Sequence, residues 1–151
     1  IQERVEGFTS YIANYPDIDV VEIVYQDQVD DMTAAMQEVL ERNPQLEGVF
    51  CTNANISELY LDMPKDETKE PLMMVGVDAT AKQQEAIRNS KEVGVVSQQP
   101  YAMGYQTIWT ALQTTAPKKS VDIEKNLRID PAWIDASNID DPVNSAYLYA
   151  N

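Results

Sequence analysis

The residues best suited to do chemistry in this sequence are Asn, Asp and Gln, and they recur in one kind of place. Gln26-Asp27-Gln28 follows the apolar run Val20–Tyr25, and Thr52-Asn53 follows Leu46–Cys51. Asp78 follows Leu72–Val77, and Ser97-Gln98-Gln99 closes the run that starts at Val93. Asn and Gln side chains each offer a donor and an acceptor, and an ionised Asp accepts through two oxygens. The hydroxyls of a polyol both donate and accept, so this set suits a sugar. Each residue taken singly could instead cap the helix that follows it. Four such positions in one pattern favour a site, and the capping role stays open for each.

Catalysis is harder to build from this composition. The chain has no histidine and a single cysteine. That excludes Ser-His-Asp and Cys-His catalysis in their usual forms and leaves a poor donor set for zinc. Cys51 cannot form an internal disulfide, and within Gly48-Val49-Phe50-Cys51-Thr52 it reads as a small buried hydrophobe. No EF-hand loop is present, and Asp30-Asp31 and Asp140-Asp141 read as solvated pairs or caps, with cation binding the lesser alternative. No acid–base set is evident. The expectation is a binding protein that uses no cofactor and no metal and performs no reaction on its ligand.

The elements that must position these residues alternate between helical and strand periodicity. Arg4–Asn14 has helical spacing through Val5, Phe8 and Ile12, and Pro16 closes it. Val20–Tyr25 is short and β-branched and reads as a strand. Met32, Ala35, Met36, Val39 and Leu40 share a helical face that Asn43-Pro44 ends. Leu46–Cys51 then reads as a strand, Ala54–Asp62 as a helix, and Met63–Pro71 as a polar loop. The cycle repeats with a strand at Leu72–Val77, a helix over 80–90 with Ala86 and Ile87 inward, and a strand at Val93–Ser97. Pro100 opens a long helix to Thr115. A link at Ala116–Lys119 leads to a strand-like stretch at Asn126–Ile129, and the rest of the tail, rich in Trp133, Tyr147 and Tyr149, is expected to pack as a strap. Met32, Met36, Met73 and Met74 are expected to fill the core.

This alternation predicts an α/β fold with a mostly parallel sheet covered on both faces. In such sheets ligands meet the carboxyl ends of the strands, which is where the polar residues stand. Net charge is −14, with 4 basic against 16 acidic residues over 1–75 and 7 against 9 over 76–151. A surface this acidic repels phosphate backbones, so no nucleic acid is expected to be contacted by this segment. No apolar run reaches the roughly 18 residues that a membrane span needs.

Four motifs resemble those of the periplasmic sugar-binding proteins and LacI-type regulators, the type I periplasmic-binding-protein-like superfamily. They are Arg4-Val5-Glu6-Gly7-Phe8, Asn43-Pro44 through Gly48-Val49-Phe50 to Asn53, Val75-Gly76-Val77-Asp78-Ala79-Thr80, and Gln98-Gln99-Pro100-Tyr101-Ala102-Met103-Gly104. They occur in family order. The resemblance implies a flavodoxin-like three-layer αβα lobe, incomplete here, from the C-terminal part of a two-lobed ligand-binding domain. It implies that residues 1–98 belong to the second lobe, 99–120 form a crossover helix that packs on the first lobe, and 121–151 return as a strand and strap. It implies ligand-binding roles for Arg4, Asp27, Asn53, Asp78 and Gln98, with Arg4 bringing a planar fork to ligand oxygens. Asp27 stands near a position where the family often places an aromatic that stacks on the sugar, and Val77 replaces another.

Two functions follow from that resemblance. The first is an extracytoplasmic solute-binding protein, periplasmic or lipid-anchored, that delivers a sugar to a membrane transporter. The second is the effector-sensing domain of a cytoplasmic LacI-type regulator. A third, from outside the resemblance, is an enzyme or phospho-receiver on a flavodoxin-like sheet, but Asp78 has no convincing lysine partner. The chain opens inside a helix, at Ile1-Gln2-Glu3-Arg4, and reads as a fragment. The strand that would precede Arg4 and the cover for the helix after Pro100 are then missing, so self-association through those surfaces is expected.

Overall fold

The computed structural model describes residues 1–65, 70–115 and 126–150. The Ala116–Lys119 link and the middle of the polar loop before Pro71 lie outside them. Among the described residues, five α-helices and four strands follow in the order α1 (Gln2–Ile12), α2 (Met32–Arg42), β1 (Gly48–Phe50), α3 (Ala54–Asp62), β2 (Met73–Val77), α4 (Ala81–Arg88), β3 (Gly94–Ser97), α5 (Pro100–Thr115) and β4 (Ala132–Asp135). The strands form one sheet in the order β1-β2-β3-β4. β1 and β3 run parallel to β2 on either side of it, while β4 is antiparallel to β3. The α/β expectation holds, with an antiparallel strand at one edge.

Pleating sorts the strand residues onto two faces. The register sets Val49 against Met74, Gly76 against Val95, and Val95 against Ile134, so these share one face. That face is the buried one. Met74, Val95 and Ile134 are fully buried. At the β1–β2 end, Met36 of α2 and Ile56 and Tyr60 of α3 pack with Cys51 and Met74. At the β3–β4 end, Ile87 of α4 packs with Val95, Ile134 and Ile139. The opposite face is covered at β1 by α1, where Phe8 stacks on Phe50 with ring centroids 4.7 Å apart. Met73, on that same face, is 60 % exposed. Of the four methionines expected inside, Met36 and Met74 are buried and Met32 packs against them, but Met73 points the other way.

Two strands differ from the sequence reading. Val20–Tyr25 is extended but joins no ladder, and Val20, Val21 and Ile23 are exposed. A strand exists only by pairing, and among the described residues no strand lies beside this segment. The segment is tied instead through Glu22, which receives the Arg42 guanidinium at 2.7 Å. The last strand is Ala132–Asp135, not Asn126–Ile129. Its placement depends on Gly94. A Cβ there would lie 2.5 Å from the Trp133 ring and 2.6 Å from the Ile134 carbonyl oxygen. Only a residue without a side chain lets β4 close on β3, whereas Leu127 has nothing comparable to dock on and stays half exposed. The tail after β4 packs as a strap, burying Ile139 and running through a 3₁₀ turn at Pro142–Tyr147.

Helix starts are fixed by side chains. Asp31 caps α2, Asn53 caps α3, and Thr80 forms a reciprocal capping box with Gln83 on α4. Gln83 is fully buried, and its amide also donates to the Val77 carbonyl and to Glu92 Oε1, each at 3.3 Å. Glu92 is itself buried, and its second carboxylate oxygen has no partner among the described residues. Gly76 makes room for it, since a Cβ there would collide with the Glu92 carboxylate and crowd Ser57 and Gln83. Burial raises the Glu92 pKa to about 7, with the Gln83 hydrogen bond opposing part of the rise.

Because the folded chain holds this proton more tightly than the unfolded chain, Glu92 favours folding at low pH. Its contribution is complete below about 4.5 and is lost as pH rises to about 7. The Glu92→Gln variant, which cannot ionise, is expected to flatten that fall. Melting temperatures of both proteins from pH 4.5 to 8 check this, and parallel profiles would place the proton elsewhere.

Candidate ligand-binding site

The polar residues after the strands meet along one line at the carboxyl ends of β1, β2 and β3. At β1, Arg4 of α1 turns its guanidinium onto the chain end, where Nη1 donates to the Thr52 carbonyl at 2.6 Å. The Phe8–Phe50 stack one helical turn further on fixes α1 over the same strand. Next along the chain, Asn53 Oδ1 accepts from the Ile56 N–H at 3.1 Å and starts α3. The first N–H of α3, on Ala54, donates at 3.2 Å to Asp78 Oδ2 at the end of β2. Asp78 Oδ1 accepts from Gln98 Nε2 at 3.0 Å, at the end of β3.

Asp78 makes these contacts from an unusual backbone conformation. Its φ is 76°, in the left-handed region that non-glycine residues rarely enter, although Asp does so more readily than most. Its N–H donates to the Val96 carbonyl at 3.0 Å, which locks the end of β2 to β3. Such strain is tolerated where the surroundings over-determine it, and it clusters at ligand sites.

The strap reaches the same carboxylate. Tyr149 Oη donates to Asp78 Oδ1 at 2.8 Å, and burial together with that hydrogen bond pushes the phenol up to about 12. Tyr149 is held by its own backbone, with its N–H on the Ala79 carbonyl at 3.0 Å and its carbonyl accepting from Gln84 Nε2 at 3.0 Å. Two residues earlier, the Tyr147 carbonyl accepts from Ser97 Oγ at 2.6 Å and its hydroxyl from Gln99 Nε2 at 2.8 Å.

Four of the five residues expected in the site therefore stand at neighbouring strand ends: Asp78 and Gln98 bonded to each other, and Arg4 and Asn53 on the Thr52–Ala54 turn that Asp78 holds through the Ala54 N–H. Asp27 does not join them. It sits on an exposed 3₁₀ turn at Gln26–Gln28, and no hydrogen bond among the described residues ties it to the other four. The turn follows the segment that failed to enter the sheet, so nothing registers it against the other strand ends. The capping alternative holds in full for Asn53. It fails for Asp78, since Thr80 caps the following helix and Asp78 serves the start of α3 across the sheet. Tyr149 was missed as part of the site. The aromatic alternation Tyr147-Leu148-Tyr149 was its only sequence signal.

Cys51 is buried, and burial, with Glu92 nearby, pushes its thiol up to about 12, which makes it an inert core residue. Among the described residues no cluster of carboxylates is arranged to hold a metal ion. Asp31 and Asp141 act as helix caps, and Asp140 pairs with Arg88 at 2.9 Å. A separate apolar groove of about 540 Å³ runs along α5 between Tyr101, Tyr105, Ile108, Trp109 and Leu112 and shares no residue with the polar line.

Donors and acceptors are gathered at the carboxyl ends of the parallel strands, where sheets of this kind meet their ligands. Residues 1–119 match the family described as periplasmic binding protein domain, and the chain belongs to that family. No curated protein sequence matches it. Among solved structures, it resembles an ABC transporter solute binding protein from Agrobacterium vitis with bound D-fucose, at 26 % identity and a TM-score of 0.84, covering 97 % of this chain and 50 % of that one. A carbohydrate transporter solute binding protein from Agrobacterium radiobacter in complex with D-arabinose is similar at 26 % identity and 0.82, covering 98 % and 50 %. An ABC transporter, LacI family transcriptional regulator from Brachyspira murdochii is similar at 25 % identity and 0.63, covering 78 % and 40 %. The chain thus spans about half the length of the two sugar-bound structures.

Asn53 caps α3 through its side-chain oxygen, which accepts from the Ile56 N–H. Asn53→Ala is expected to lower stability by about 1 kcal/mol in urea unfolding, while Asn53→Asp, which keeps the capping oxygen, holds it within a few tenths. Equal losses in the two variants would mean that the cap is not what Asn53 contributes to folding.

Proposed function

We propose that this chain supplies one lobe of the sugar-binding cleft of an extracytoplasmic solute-binding protein that serves a carbohydrate transporter. The observation that carries this is the hydrogen-bonded line across three parallel strand ends, from Arg4 at Thr52 through Ala54 and Asp78 to Gln98. Its groups are amides, a carboxylate and a guanidinium, the chemistry that grips hydroxyls without transforming them. The sugar-bound relatives support the ligand class. The protein binds and releases its ligand unchanged, and closure of two lobes draws its energy from contacts made to both at once. In this reading residues 1–98 are the second lobe, α5 within 99–120 packs on the first lobe, and 121–151 return to the second. The exposed apolar side of α5 fits that placement.

A second reading, the effector domain of a LacI-type regulator, is favoured by the Brachyspira murdochii relative. The sequence preceding Ile1 separates the two: a secretion or lipoprotein signal supports the first, and a helix-turn-helix supports the second.

The full-length protein is expected to melt at a higher temperature in the presence of D-fucose or D-arabinose, and Asp78→Ala is expected to abolish that rise. If neither these sugars nor other monosaccharides or small glycosides shift the melting temperature, the sugar reading fails. An undiminished shift in Asp78→Ala would place the ligand elsewhere.

The isolated chain is also proposed to self-associate. β1 has a ladder partner on one side only among the described residues, and Ile108 and Leu112 of α5 are 63 % and 60 % exposed. Light scattering behind size exclusion is expected to give a dimer for the 151-residue chain, and a monomer at high micromolar concentration would refute it.

A further inference from the structure

The strap's contact with the polar line has a geometry that bears on ligand recognition. Asp78 Oδ1 accepts two hydrogen bonds, from Gln98 Nε2 and from Tyr149 Oη, while Oδ2 accepts one, from Ala54 N. A carboxylate has about four acceptor positions. Three are filled from within the protein, from three separate elements, and one on Oδ2 remains. Tyr149 is not free to leave, since its backbone is bonded to Ala79 and Gln84 on both sides of the peptide. Its neighbour Tyr147 is pinned to Ser97 and Gln99 at the end of β3.

We infer that Tyr149 is a positioning residue for the ligand: its hydroxyl saturates Asp78 Oδ1 and turns Oδ2 toward the single ligand hydroxyl that Asp78 can accept. This rests on the reading of Asp78 as a sugar ligand. Tyr149 acts through Asp78 and needs no contact with the sugar. Without the phenol, the carboxylate can rotate about its terminal torsion, which is broad for Asp, and presents a poorly defined acceptor. The groups facing the carboxylate are then the Gln98 amide and the Ala54 N–H, neither of which titrates, and the nearest cation along the network is Arg4 on the Thr52 carbonyl. The Tyr149 phenol ionises only near 12, outside any working range.

The test uses the full-length protein with D-fucose and D-arabinose as probes in titration calorimetry. Tyr149→Phe keeps the ring and removes the hydroxyl. It is expected to weaken binding roughly tenfold or more, the usual effect of a hydrogen bond to a charged group. Tyr149→His, which keeps a ring N–H donor, is expected to recover part of that loss, which a purely structural role for the phenol would not predict. Tyr147→Phe, which removes the Gln99 bond and leaves Asp78 untouched, is the control for a loosened strap and is expected to keep its affinity. Unchanged affinity in Tyr149→Phe overturns the inference, and so does an equal loss in Tyr147→Phe. If the unsubstituted protein binds neither sugar, the reading beneath the inference has failed and the inference falls with it. If Tyr149→Phe does not fold, Tyr149→His, which keeps a ring N–H donor, replaces it and is expected to retain more affinity than Tyr149→Leu; equal affinities overturn the inference.

Discussion

The carboxylate of Asp78 is the junction on which the arrangement of this lobe depends. Its backbone sits in the left-handed region, an unfavourable place for a residue with a side chain, and four contacts hold it there. The N–H is given to β3, one oxygen to the start of α3, and the other to the end of β3 and to the strap. Together they tie β2 to β3, to α3 and to the strap. The strand ends are therefore in fixed relation to one another as well as to the sheet. Recognition of a small polar molecule needs this, since a hydrogen bond misplaced by half an ångström loses much of its worth.

The other feature of β2 lies on its buried face, where Gly76 leaves space that Glu92, Gln83 and Ser57 fill. A buried carboxylate with one unpartnered oxygen is an expensive group, and it is retained directly beneath the polar line. β2 thus carries polar networks at two levels, one in the core and one at its exposed end.

Much of this was legible in the sequence. The period of the helices, Pro100 in the first turn of α5 and the short β-branched strands located α2 through α5 and the three parallel strands. Two failures had a common cause. Val20–Tyr25 has every local mark of a strand, yet a strand exists only by pairing, and no partner in the chain is placed to receive it. Ala132–Asp135 has a weaker local pattern than Asn126–Ile129 but gains a partner, because Gly94 opens a slot for Trp133. Neither fact can be read from a window of neighbouring residues. For the site, the resemblance and the chemistry agreed on Arg4, Asn53, Asp78 and Gln98 because each follows directly from a strand or its first helix. Asp27 was placed by analogy to a strand that does not form here, and Tyr149 comes from a segment with no periodicity.

The partner that Asp78 finds in Tyr149 lies 71 residues further along the chain. During synthesis, β1 to β3 and their helices can condense as soon as they emerge, since their contacts are between neighbours in sequence. The strap comes last. A chain halted or clipped before residue 149 would retain its parallel strands and still lack the hydroxyl that completes the carboxylate's coordination. The hydroxyl that fixes this carboxylate thus reaches it only after the parallel strands have made their own, more local contacts.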